Sequence, residues 1–155
     1  IHGVPSDFPP RPSNPKVYRC RFENNFATAG GAGVMIWWAF LTGESSAFGG
    51  GQPLPVRLVN CTFRDNDASD GVGGGFLARR TDFLVGPQFR LVNCVFCENS
   101  AGLGGGGAAI SGYSTGTILD CTFSENVATA GGALWFLFED QGSPLGVDVV
   151  NSTLW

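Results

Sequence analysis

Hydrophobic and polar positions alternate over short stretches of the chain and then break off. Val59, Cys61 and Phe63 share one parity, and Asn60, Thr62 and Arg64 share the other. The same holds for Val92, Cys94 and Phe96, and for Leu119, Cys121 and Phe123. A period of two predicts strands with one face buried. A helical bundle is excluded, because almost every stretch of a dozen residues contains Gly or Pro, and Gly costs about 1 kcal/mol per helical position relative to Ala.

The strand segments recur. Tyr18–Asn25, Val59–Asn66, Val92–Asn99 and Leu119–Asn126 superimpose, and a fifth copy begins at Val150. Each complete copy is followed by an alanine (Ala27, Ala68, Ala101, Ala128) and then by a glycine cluster: Gly30-Gly31, Gly73–Gly75, Gly104–Gly107 and Gly131-Gly132. The cysteine column steps by 41, 33 and 27 residues, and Ser152 follows 31 later. A constant motif at variable spacing is the mark of a repeat with loops of differing length. One strand per repeat, always in the same sense, stacks in parallel about 4.8 Å apart and places like residues over like, as in a solenoid.

The expected fold is therefore all-β: a right-handed parallel β-helix of about four coils with loop insertions, over residues 17–155. Its interior should hold a phenylalanine column (Phe22, Phe63, Phe96, Phe123) and a cysteine column (Cys20, Cys61, Cys94, Cys121). Asn tolerates left-handed backbone and bonds neighbouring backbone through its amide. Asn25, Asn66, Asn99 and Asn126 should turn the chain at one corner and stack as a ladder, with the glycines forming the next corner.

The pairing of Phe-x-x-Asn with Gly-Gly-Ala-apolar resembles the repeats of chlamydial polymorphic membrane proteins and related right-handed β-helix proteins of bacterial and algal surfaces. Phe22–Asn25, Phe63–Asn66, Phe96–Asn99 and Phe123–Asn126 carry the first half. Gly131-Gly132-Ala133-Leu134 carries the second in full, and Gly30–Gly33, Gly74–Phe76 and Gly107–Ile110 carry it loosely. The resemblance implies the β-helix fold and a place among adhesins or passenger domains of secreted surface proteins. No C-terminal translocator barrel accompanies it in this sequence.

Outside the repeats, residues 1–16 hold five of the nine prolines and predict an extended arm. Three insertions, near Leu41–Pro55, Leu77–Gln88 and Glu139–Asp148, should bulge from one edge, where binding commonly sits. The chain has 155 residues, 24 of them glycine, and a net charge of −4. Nucleic acid normally meets a basic stripe, so that partner is excluded, as is a transmembrane segment, since the apolar run Val34–Leu41 is too short. The sequence starts on Ile1 and ends one strand into a coil, with Val150, Leu154 and Trp155 at an open edge. Such an edge templates further pairing, so a longer parent chain or a covering protein partner is expected there.

Candidate chemistry is sparse. The inward cysteines suit either a stack of buried thiols or a strained disulfide; Cys97 faces outward or sits at the corner, and no second pair completes a zinc site. Asn24, Asp65, Glu98 and Glu125 precede the corner asparagines, and could splay into solvent or share calcium. Arg79-Arg80 near Asp82, and Arg64 near Asp65, are the cationic candidates for a polysaccharide lyase or hydrolase; His2 lies in the arm. Trp37-Trp38 and Trp135-Phe136 each pair adjacent aromatics, one of which must face out of a strand, against a partner or a sugar, unless the coil bends and buries both. With Trp155 they form the candidate interaction surface. Asn60-Cys-Thr and Asn151-Ser-Thr are glycosylation sequons. Thr62, Thr122 and Thr153 align but are interrupted by Arg21 and Val95, which argues against a flat threonine face.

The function expected is a non-catalytic structural or adhesive module, extracellular or at the cell surface, with no cofactor and no metal and with surface glycans as a further partner. The alternatives are a β-helix carbohydrate-active enzyme and an accessory subunit of a large assembly.

Overall fold

The computed structural model describes residues 15–38, 55–80, 87–137 and 146–155. Every regular element in them is a strand. The first coil consists of β1 (Lys16–Tyr18), β2 (Arg21–Glu23), β3 (Phe26–Ala27) and β4 (Val34–Trp38). The second repeats the order with β5 (Val56–Val59), β6 (Thr62–Arg64), β7 (Asp67–Ala68) and β8 (Phe76–Arg80). The third has β9 (Gln88–Val92), β10 (Val95–Cys97), β11 (Ser100–Gly104) and β12 (Ala108–Ser111). The fourth has β13 (Thr115–Leu119), β14 (Thr122–Ser124), β15 (Val127–Ala130) and β16 (Leu134–Leu137), and β17 (Gly146–Val150) and β18 (Thr153–Leu154) begin a fifth.

Like strands pair only with like. Four parallel sheets run the length of the molecule: β1-β5-β9-β13-β17, β2-β6-β10-β14-β18, β3-β7-β11-β15 and β4-β8-β12-β16. This is a parallel β-helix of four coils. The variable spacing of the cysteine column falls mainly between the fourth strand of one coil and the first of the next, where the residues 39–54, 81–86 and 138–145 lie. The three insertions fall largely there, so what the sequence predicts of their loops lies outside the described residues; Leu77–Arg80, Gln88 and Gly146–Asp148 belong to strands β8, β9 and β17 instead. The same is true of residues 1–14 of the arm, while Lys16, assigned to the arm by its sequence, is the first residue of β1.

The alternation predicted through Val59, Cys61 and Phe63 does not run unbroken. Leu58, Leu91 and Ile118 are fully buried, whereas Val59, Val92 and Leu119 are only half-buried. The reason is a corner of two residues between the first and second strands, whose first member takes a left-handed backbone: Arg19, Asn60, Asn93, Asp120 and Asn151 have φ between 48° and 56°. A left-handed residue turns the chain and resets its parity, so Cys61 points inward although Leu58, three positions earlier, does too. The core is accordingly built from Leu58, Cys61, Phe63 and Phe76 and their counterparts in the neighbouring coils.

A second corner of the same kind links the second and third strands. Here the left-handed residue is Asn24, Asp65, Glu98 or Glu125, with φ between 51° and 57°. The following Asn25, Asn66, Asn99 and Asn126, expected to adopt that conformation themselves, keep negative φ and turn their side chains inward instead.

Candidate functional site

The phenylalanine column lies between the two corners. Phe22, Phe63, Phe96 and Phe123 are in mutual register. Their rings stack 4.9, 4.5 and 4.5 Å apart, the last two pairs within 3° of parallel. Centroids this close are in the range of offset stacking, and burial of each inner ring removes a large apolar area from water. Leu154 continues the column in the fifth coil.

The asparagines form a continuous amide chain. Asn25 Nδ2 donates to Asn66 Oδ1, Asn66 Nδ2 to Asn99 Oδ1, and Asn99 Nδ2 to Asn126 Oδ1, each at 2.8 Å. Each accepting oxygen also takes the backbone N–H of the asparagine before it, at 3.1–3.2 Å. The remaining amide hydrogens of Asn66, Asn99 and Asn126 go back to the carbonyls of Phe22, Phe63 and Phe96. Asn66 and Asn99 are fully buried, so these bonds satisfy groups that water cannot reach.

The glycine motif is explained by the same column. A Cβ on Gly75 would lie 2.6 Å from the Gly107 carbonyl oxygen and 2.9 Å from the Phe96 ring. Gly107 meets Phe123 and Asn126 in the same way. Only a hydrogen fits between the corner and the stacked rings.

The cysteine column forms no disulfide: all five cysteines are free. The thiols of Cys20, Cys61, Cys94 and Cys121 each lie 3.3–3.5 Å from the carbonyl oxygen two residues earlier. Ser152 makes the equivalent bond at 3.0 Å and accepts the backbone N–H of Cys121. Cys20 is exposed, whereas Cys61, Cys94 and Cys121 are buried. Burial pushes Cys61 above its ordinary range, and a hydrogen bond with Cys121, together with burial, pushes Cys94 up further. Cys97, half-buried on the outer face, is also raised by burial, with Arg64 acting in the opposite sense. A thiol held protonated is a poor nucleophile.

At the second corner Arg64 supplies the charge that the acidic column lacks. Its guanidinium lies 2.8 Å from Glu98 and 3.2 Å from Asp65, and the contact with Glu98 is bidentate, Nε donating to Oε2 and Nη2 to Oε1. These groups are exposed, so solvent screens the pairs and they add little to stability. The proposed calcium position is thus shared with a side-chain cation, and the described residues hold no cluster of metal-ligating groups.

The aromatic candidates separate. Trp135 faces outward in register with Met35, Leu77 and Ala109, but it is half-buried against Val72, Leu77 and Ala109. Its indole lies so close over Gly104 that a Cβ there would approach within 2.3 Å. Phe136 points the other way and packs on the main core. The pair is therefore largely covered by the chain itself. Trp155 is 72% exposed, and with Val149, Val150 and Leu154 it forms an apolar edge on the last strands. Trp37 and Trp38 pair in register with Arg79 and Arg80; their side chains lie outside the described residues, as do those of Arg80 and the whole of Asp82 and His2.

Both sequon asparagines, Asn60 and Asn151, are exposed at the first corner. Asn60 accepts a hydrogen bond from Asn93 at 2.7 Å, and Asn151 donates to Asp120.

One alignment escapes a reading of the sequence by motif. Lys16, Arg57 and Arg90 are in register on the outer face of the first sheet. The signal is present, four positions before Cys20, Cys61 and Cys94, but it is visible only once the coils are superimposed.

The four sheets and their internal ladders define a repeat protein of the parallel β-helix class. Within the fourth coil, residues 120–136 match the Chlamydia polymorphic membrane protein (Chlamydia_PMP) repeat. That segment contains Cys121, Phe123, Asn126 and the Gly131–Leu134 motif, the side chains and glycine turn around which every coil is built. No curated protein and no solved structure matches the chain. Among the described residues no helix is long and apolar enough to cross a membrane.

Proposed function

We propose that this chain is a non-catalytic, surface-exposed structural and adhesive module. The observation that carries the reading is the match of residues 120–136 to the polymorphic membrane protein repeat, set in a solenoid whose every coil repeats the same ladder. Such a scaffold converts a short repeat into a long, stiff face. Supporting it, the described ion pairs, such as Arg64–Glu98, lie on the outer surface, and the buried Cys61 and Cys94 thiols are held protonated. Neither arrangement offers a nucleophile beside a base.

The test is labelling of intact source cells with an antibody raised against the 155-residue chain. Staining without permeabilisation is expected. Staining that needs permeabilisation would overturn the surface placement, and depolymerisation of an acidic polysaccharide by the purified chain would favour the enzyme.

A further inference from the structure

Charge is divided along the helix axis. All nine lysine and arginine residues lie at or before Arg90, and every charged residue after it is acidic. The outer face of the first sheet shows the division most plainly. Its outward column reads Lys16, Arg57, Arg90, Thr117 and Asp148 from the first coil to the fifth, in unbroken register. The first corner alongside reads Arg19, Asn60, Asn93, Asp120 and Asn151, all exposed. Stacked strands are about 4.8 Å apart, so Lys16, Arg57 and Arg90 repel one another. No ion pair among the described residues involves these three, Arg19, Asp120 or Asp148.

Between the two charged columns runs an apolar one: Tyr18, Val59, Val92, Leu119 and Val150, in register. Tyr18 and Val150 are exposed, and the three between them are half-buried. An apolar strip between charged rims has the make-up of a protein interface. The grading of the rims says which protein would fit it, because a face positive at one end and negative at the other is complementary to itself turned end for end.

We propose that this face pairs with the same face of a second copy of the chain, coils in opposite order, about a twofold axis parallel to the strands and between the third and fourth coils. Such an axis keeps each column opposite itself and reverses the coils. Arg57 then faces the partner's Asp148, Arg90 faces the partner's Thr117, and Asn93 faces the partner's Asp120. In the strip between, Val59 meets the partner's Val150 and Val92 meets the partner's Leu119. Every contact occurs twice, as an isologous interface requires. The charges choose this register. An axis through the third coil would set Arg90 against the partner's Arg90, and coils in the same order would bring the cationic ends together; like charges so placed cost affinity. A uniformly acidic partner would suit the first three coils and then meet Asp120 and Asp148. The face is small beside a standard interface of about 800 Å² per partner, so the dimer is weak and sensitive to salt. The pairing rests on register and charge and does not depend on where the module resides.

The experiment is sedimentation velocity of the 155-residue chain over a range of protein and salt concentrations. A monomer–dimer equilibrium is expected, weakened by added salt. Asp148→Arg should weaken dimerisation roughly tenfold, because it reverses two symmetric pairs, each comparable to an exposed ion pair. Arg57→Glu should do the same, and the two changes together should restore the dimer. Arg64→Gln, at the second corner, should leave it unaltered. Amide shifts that depend on protein concentration should cluster at Val59, Val92, Leu119 and Val150. The proposal fails if the chain stays monomeric throughout, which would leave the face to a different protein. It fails if association grows without limit and ignores Asp148→Arg, since the open coil edges would then be responsible. It also fails if the combined variant, folded by circular dichroism, does not regain the dimer that each single variant loses.

Discussion

The two corners of each coil are built on the same backbone and could hardly differ more in what they ask of their residues. Both begin with a left-handed residue. At the first corner that residue is Arg19, Asn60, Asn93, Asp120 or Asn151; at the second it is Asn24, Asp65, Glu98 or Glu125. Left-handed backbone costs a residue with a Cβ about 1–2 kcal/mol, yet charged and neutral side chains alike occupy it here. The residue that follows is another matter. At the first corner Cys and Ser interchange, because either can bond the carbonyl two residues back. At the second corner every copy is Asn, because that amide must accept from one coil, donate to the next and still reach a phenylalanine carbonyl. Corner conformation is permissive; what the corner buries is not.

The largest effect should come from the ring that the second corner closes over. Phe96→Ala removes a fully buried ring stacked on both sides and should cost about 3–5 kcal/mol in a denaturant melt. A loss under about 1 kcal/mol would remove the ring from the core.

Next, Asn99→Ala should cost about 1–3 kcal/mol, because the Asn66 amide and the Phe63 carbonyl lose a partner in the interior. The matching change at the first corner, Cys94→Ser, should cost about 1 kcal/mol or less, since a hydroxyl can bond the same carbonyl, as Ser152 does. Equal losses by chemical denaturation would erase the contrast between the corners.

The first corner should also weaken in alkali. The folded state raises Cys61 and Cys94 above the ordinary thiol value of 9.0. Their stabilising contribution is whole below that value and is lost as the pH climbs from 9.0 toward the raised folded values, because the unfolded thiols ionise first. Melting temperature measured from pH 7 to 10.5 should fall above pH 9, and substituting Ser at both positions should flatten the fall. In the native protein at neutral pH, iodoacetamide should modify exposed Cys20 well before buried Cys61, Cys94 and Cys121. Equal rates by mass spectrometry would mean the column opens.

The smallest effect should be at an exposed left-handed position. Asn93→Gly should change stability by no more than about 0.5 kcal/mol, because relief of backbone strain offsets the loss of its bond to Asn60.

The ladders of Phe, Cys and Asn were legible in the sequence because each repeats at the same offsets in four copies. The break in alternation after Val59 was not, because a left-handed Asn60 carries no compositional mark that separates it from a surface Asn in a strand. Parity required one of Trp135 and Phe136 to face outward but could not say which or how far it would be covered: the cover over Trp135 is Gly104 from the preceding coil, a contact that depends on how one coil lies on the next. The basic column stayed hidden for a related reason: Lys16, Arg57 and Arg90 belong to no motif, and only the register of the first sheet makes them neighbours.

The amide ladder has one further consequence. Every rung presents the same donor to one side and the same acceptor to the other. Asn66 could therefore be joined by Asn126 as readily as by Asn99, and the stacked rings would raise no objection. The rungs are interchangeable parts with no address of their own. Which coil follows which is dictated by the length of chain between them, so the segments that differ most among the repeats are what keep the identical ones in order.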